Sequence, residues 1–188
     1  MKRIIILMLT FVLIFPVLVK SQQITPADSL LNRMAGRWVL RGTIDGQETI
    51  HDIDAKRVLH GQYLEFSEVS REKDAMGKPR YEATVYLCWQ EAKKEYFCLW
   101  LDNTSNEGIT NQIVGHAKYN GDNIELVFKY NDTVQFHTTF QYHRVTDTWE
   151  WIMDGDENGK LTPFARVKLM RNQASHHDRT VHRKALKH

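Results

Sequence analysis

From Gly36 onward the apolar residues of this chain recur at every second position, and a turn signal interrupts them about every ten residues. Side chains alternate faces in this way only along extended backbone, so the pattern confines the chain to short β-strands joined by tight turns. Asp45-Gly46, Asn120-Gly121 and Asn158-Gly159 are tight-turn dipeptides, because hairpin turns need the φ > 0 backbone that Asn, Asp and Gly adopt most readily. Further breaks fall at His60-Gly61, Lys73 to Pro79, Glu91 to Lys94, Thr104 to Gly108, Asn131-Asp132 and Arg144 to Asp147. They delimit ten strands, near 36–45, 47–58, 62–71, 80–90, 95–102, 109–118, 122–130, 133–143, 147–154 and 160–170. A long meander must hide its edges, and closure removes them altogether. The expected fold is therefore all-β, an antiparallel up-and-down barrel of about ten strands, with an open sandwich as the alternative.

Pro26 to Ala35 departs from the pattern. Asp28-Ser29 can cap a short helix that carries Leu30, Leu31 and Met34 on one side. Residues 22–35 thus read as a short helical lead-in, and residues 36–171 as the barrel domain.

The two ends read differently again. Lys2-Arg3 precede an uncharged apolar run from Ile4 to Val19, the order of a secretory signal peptide. That run is short of the roughly 20 residues a spanning helix needs, and Pro16 interrupts it. Residues 1–21 are expected to be a signal peptide cleaved before Gln22, with an uncleaved anchor as the alternative. The mature protein would then be periplasmic or extracellular, with no stable membrane insertion. Residues 172–188 hold four His and four Lys/Arg against one acid. They read as a basic, His-rich disordered tail that cannot bury enough apolar surface to order itself.

The whole chain carries 25 Lys/Arg and 23 Asp/Glu. Without the leader, which holds Lys2, Arg3 and Lys20, the balance is 22 to 23, and without the tail as well it is 18 to 22. The barrel domain is mildly acidic, and no basic face for nucleic acid is visible. Cys88 and Cys98 flank a turn. Their equal parity permits a cross-strand disulfide, whereas a four-residue loop would put them out of register as two separate buried thiols.

The late strands show which face is apolar. Ile124, Leu126, Phe128 and Tyr130 share one face, as do Val134, Phe136, Phe140 and Tyr142, then Trp149, Trp151 and Met153. His137 and His143 fall on the opposite, polar side. The hairpin 81–102 is apolar on both faces. Ala83, Val85, Leu87, Phe97, Leu99 and Leu101 are taken as one face, and Tyr86, Cys88, Tyr96, Cys98, Trp100 and Asp102 as the other. Such a hairpin calls for cover on both sides, from the barrel interior and from the lead-in helix or a second subunit in a homodimer.

Gly36-Arg37-Trp38 opens the first strand directly after the helix. This Gly-x-Trp at the head of a strand meander resembles the calycin group of lipocalins, fatty-acid-binding proteins and nitrobindins. The resemblance implies that Trp38 closes one end of the barrel under a cation from the last strand, Arg166 as first choice and Arg171 as second. Leu99-Trp100-Leu101-Asp102 and Pro163-Phe164-Ala165-Arg166-Val167 look closer still to an exported bacterial lipocalin-like family of unassigned function. That resemblance spans about residues 30–171 and implies a fold and an exported location, but no chemistry. Nitrobindins bind haem through a histidine toward the C-terminal end of the barrel, and strand 160–170 has none. His51 or His116 could still supply a haem ligand, so the expectation is no cofactor, with haem as the alternative.

Catalytic and metal motifs are sparse. Asp154 to Gly159 matches the first half of an EF-hand loop, but the twelfth position is Ala165 and the flanks are strands. Asn103-Thr104-Ser105 and Asn131-Asp132-Thr133 are sequons at turns, meaningful only in a eukaryotic secretory pathway. No metal site is expected. The leading expectation is a barrel that encloses an apolar or aromatic small molecule, with Tyr86, Trp100, Asp102, Phe128, Phe136, Phe140, Tyr142 and Trp151 as ligand-binding residues. The alternatives are a structural or interaction protein whose core is filled by its own side chains, and an enzyme that uses Asp102 as an acid in an aromatic setting.

Overall fold

The computed structural model describes residues 25–104 and 113–172. The expected signal peptide and nearly all of the expected tail lie outside the described residues. Within them the chain forms one helix and ten strands: α1 (Pro26–Met34), β1 (Gly36–Ile44), β2 (Gln47–Val58), β3 (Tyr63–Ser70), β4 (Glu82–Gln90), β5 (Glu95–Asp102), β6 (Gly115–Asn120), β7 (Asn123–Lys129), β8 (Val134–His143), β9 (Thr148–Glu157) and β10 (Lys160–Arg171). Each strand pairs antiparallel with its neighbours in sequence, and β1 pairs with β10 from Trp38↔Arg171 to Ile44↔Ala165. The sheet is a closed barrel, not a sandwich. At Asp45-Gly46 and Asn158-Gly159 both residues have positive φ, the geometry of a two-residue hairpin turn.

The helix begins one turn earlier than its sequence signal. Thr25, not Asp28-Ser29, is the N-cap: its hydroxyl accepts from the Asp28 backbone N–H at 3.1 Å, and Pro26 occupies the first helical position. Ala27, Leu30, Leu31 and Met34 are all buried, so α1 plugs one end of the barrel. Trp38 lies there fully buried, its indole N–H donating to the Met34 carbonyl at 2.7 Å.

The cation over Trp38 is Arg171, with its guanidinium carbon 3.7 Å from the ring centroid. Arg171 also donates to the carbonyls of Ala35 and Arg33 and to the Asp147 carboxylate. A Cβ at Gly36 would stand 2.3 Å from Arg171 Nη1, so glycine leaves the path by which the guanidinium crosses the ring. Arg166, the first choice from sequence, points out of the barrel and pairs with Asp154 at 2.5 Å. The reason is a register shift between Pro163 and Ala165. It detaches Phe164 from the alternation and places Ala165, Val167 and Leu169 inside.

The hairpin β4–β5 also differs from its sequence reading. Gln90 pairs with Glu95 across a four-residue loop, so odd-numbered residues of β4 face even-numbered residues of β5. Ala83, Val85 and Leu87 share the interior with Tyr96, Cys98, Trp100 and Asp102. Tyr86 and Cys88 sit on the outer face with Phe97, Leu99 and Leu101. Cys88 and Cys98 therefore lie on opposite faces as free thiols, and no disulfide joins them.

Candidate functional site

Side chains fill the helix-capped half of the barrel. Phe140 stacks on Trp151 with centroids 4.6 Å apart, Phe66 meets both edge-on, and all three are at most 1 % exposed. Tyr142 packs against Trp149 and donates to Asp147 at 2.9 Å. Above this packed layer, toward the turns that carry Asp45-Gly46 and Asn158-Gly159, the barrel opens into a cavity of about 950 Å³. Trp151 and Thr138 mark the boundary between the two halves: the Trp151 indole N–H donates to the Thr138 hydroxyl at 2.6 Å, and Thr138 lines the cavity.

The cavity has two unlike walls. Phe128, Phe136, Met153 and Phe164, from β7 to β10, form an apolar one, with Phe136 and Phe164 packed edge to face at 5.6 Å. The opposite wall comes from β2, β3, β5 and the residue before β4, and carries Thr49, His51, Glu68, Tyr81, Trp100 and Asp102. Four of the eight ligand-binding residues expected from sequence line this space: Trp100, Asp102, Phe128 and Phe136. Phe140, Trp151 and Tyr142 belong instead to the packed half. Tyr86 is outside the barrel, donating to Glu65 at 3.1 Å.

The centre of the polar wall escaped the sequence reading. His51 and Glu68 are 4 % and 1 % exposed, and His51 Nδ1 is hydrogen-bonded to Glu68 Oε1. On its other side His51 Nε2 lies 2.8 Å from the Thr49 hydroxyl, which is also 3.1 Å from Glu72 Oε2. Burial opposes ionisation of Glu72. Hydrogen bonds from the backbone N–H groups of Glu72 and Ile50 and from Thr49 outweigh that burial and hold its carboxyl below the usual range. An ionised Glu72 accepts the one Thr49 proton, so Thr49 must accept from His51 Nε2–H. Thr49–His51–Glu68 thus has the order of a nucleophilic triad but the opposite polarity: His51 donates to the hydroxyl it would have to deprotonate. A single proton remains between Nδ1 and Oε1. Burial raises the Glu68 carboxyl above its usual range, against the pull of His51.

Tyr81 stacks on His51 at 5.6 Å and accepts from the Trp100 indole N–H at 3.1 Å. Burial, then the charges of Glu68 and Asp102, push its phenol upward, so it keeps its proton. Asp102 ends β5, where the Thr104 backbone N–H and hydroxyl donate to it at 2.8 and 2.5 Å. It is a strand-end acceptor at the cavity side, not a carboxyl sealed among rings.

Neither histidine on which haem would rest offers a nitrogen to this space. Both nitrogens of His51 are engaged, and His116 projects outside near Glu95. Asp154 to Gly159 is the end of β9 and the two-residue turn after it, in which Asp154 holds Arg166 and Asp156 accepts from the Gly159 N–H. Among the described residues no cluster of three or more His, Cys, Asp or Glu could hold a metal ion.

No family model matches this sequence, and no curated protein matches it. Among solved structures, the chain is similar to Rv2717c from M. tuberculosis. The two share 17 % identity and a TM-score of 0.51, over 79 % of this chain and 99 % of that one. The likeness is one of fold. A closed ten-stranded antiparallel barrel is consistent with the calycin-like architecture that Gly36-Arg37-Trp38 suggested.

Proposed function

We propose that this protein is an exported binding protein that holds one largely apolar or aromatic small molecule in the open half of its barrel. One observation carries the reading: the cavity of about 950 Å³ is walled by phenylalanines on one side and by fixed polar groups on the other. Cavities of roughly 300–1,000 Å³ with an apolar lining and a few convergent polar groups are the usual form of a small-molecule site. Rings supply contact area at low entropic cost, and His51, Glu68 and Tyr81, already fixed by mutual contacts, supply orientation. The reading of export rests on Lys2-Arg3 and the apolar run that follows. A wholly filled core is the reading the open half argues against, and the polarity of Thr49–His51 argues against nucleophilic catalysis.

Titration with Nile red, a neutral dye whose emission reports its surroundings, tests the cavity. We expect saturable, blue-shifted emission at one dye per chain. Phe136→Ala, which removes part of the apolar wall, should change the affinity by about tenfold, the equivalent of roughly 1.4 kcal/mol. Absence of dye uptake by the folded wild type would contradict the reading.

A further inference from the structure

Glu68 is 1 % exposed, its Oε1 is taken by His51, and its Oε2 meets no hydrogen-bond donor. A buried carboxylate oxygen is normally satisfied, because the protein must replace the water that solvated it. Only one other buried side-chain atom among the described residues shares this condition. It is Trp149 Nε1, which belongs to the packed half and does not line the cavity. Glu68 does line it, beside Asp102 and Glu72, with Glu48 exposed at the rim. The basic residues on the same lining are His51, whose two nitrogens are engaged, and Arg80, which is exposed. The polar wall therefore offers acceptors and negative charge to whatever enters.

We propose that the ligand carries a hydrogen-bond-donating nitrogen, a primary amine or a related N–H base, which seats against Glu68 Oε2. Its apolar body then lies along Phe128, Phe136 and Phe164. This inference rests on the cavity being the ligand site, and it names the head group that the site selects. An anionic head would meet like charge and leave Glu68 Oε2 without a donor; a neutral apolar one would leave it unanswered. Asp102 lies on the same wall, so a cationic nitrogen that donates to Glu68 Oε2 also gains from the Asp102 carboxylate.

Calorimetric titration with three probes that share one ring system separates these cases: naphthylmethylamine, naphthylmethanol and naphthoate. Near neutral pH the amine should bind at least about tenfold more tightly than naphthoate, and Glu68→Gln should remove most of that preference. Equal binding of amine and naphthoate, or a preference unchanged in Glu68→Gln, overturns the head-group inference and leaves the cavity reading standing. Binding of none of the three overturns both. The wild type alone provides a second measurement, independent of how Glu68→Gln folds. In the complex with naphthylmethylamine, the methylene protons should show intermolecular NOEs to the rings of Tyr81 and His51, and the naphthalene protons to Phe136 and Phe164. The reverse orientation overturns the proposal.

Discussion

Phe140→Ala is expected to destabilise the protein by about 3–5 kcal/mol, the full cost of removing a ring from a packed core. Phe140 is 1 % exposed and lies between Trp151 and Phe66 in the filled half, where no neighbouring space lets the structure relax without opening a void. Phe136→Ala, four residues earlier on the same strand, should cost well under half as much, because that ring borders the cavity. Denaturant unfolding of the two variants measures the contrast, with the midpoint moving and the slope unchanged. Equal losses would mean that the barrel is filled, or open, along its whole length.

Arg171→Ala is expected to cost about 2–4 kcal/mol. The guanidinium covers a fully buried indole at 3.7 Å, a contact of up to roughly 2 kcal/mol when desolvated. It also ties the last strand to the carbonyls of Arg33 and Ala35 at the end of α1. Its removal leaves those carbonyls without their donor and frees the plug. Arg171→Lys should restore only part of the loss, since an ammonium cannot stack and fork at once. The hydrogen bond from Arg171 holds the Asp147 carboxyl below its ordinary 3.8, so this contribution is present above that pH and is lost as pH falls through the depressed value. The acid limb of the wild-type stability curve should accordingly flatten in Arg171→Ala. A loss below about 0.5 kcal/mol, the size of an ordinary surface substitution, would contradict the clamp.

The order of strands was legible because alternation is local: each strand shows its own apolar face, and each turn its own Asn, Asp or Gly. Relations between strands were less so. Which faces of β4 and β5 coincide depends on the number of residues in the loop Glu91–Lys94, and four of them reverse the pairing that equal parity suggested. The choice between Arg166 and Arg171 turned on the irregularity at Phe164. Arg166 appeared to share a face with that ring, whereas Arg171 is in phase with Val167 and Leu169, and that phase was readable. The polar wall left a signal of the same kind. Glu68 and Ser70 fall in phase with Leu64 and Phe66, and His51 in phase with Ile53 and Ala55. A charged residue at a core position is costly, so its presence there marks a site. The boundary between filled and open halves has no counterpart in the alternation, since Phe136 and Phe140 share a face and differ only in depth.

The central claim, one small molecule in the open half of the barrel of an exported protein, is tested most directly by native mass spectrometry of protein purified undenatured from its own host. We expect a chain that begins at Gln22, carrying a single non-covalent adduct of a few hundred daltons, the size a cavity of this volume accepts. The adduct should be lost on denaturation and displaced by excess naphthylmethylamine. A bare chain in every charge state, together with failure of the wild type to take up Nile red, would contradict it.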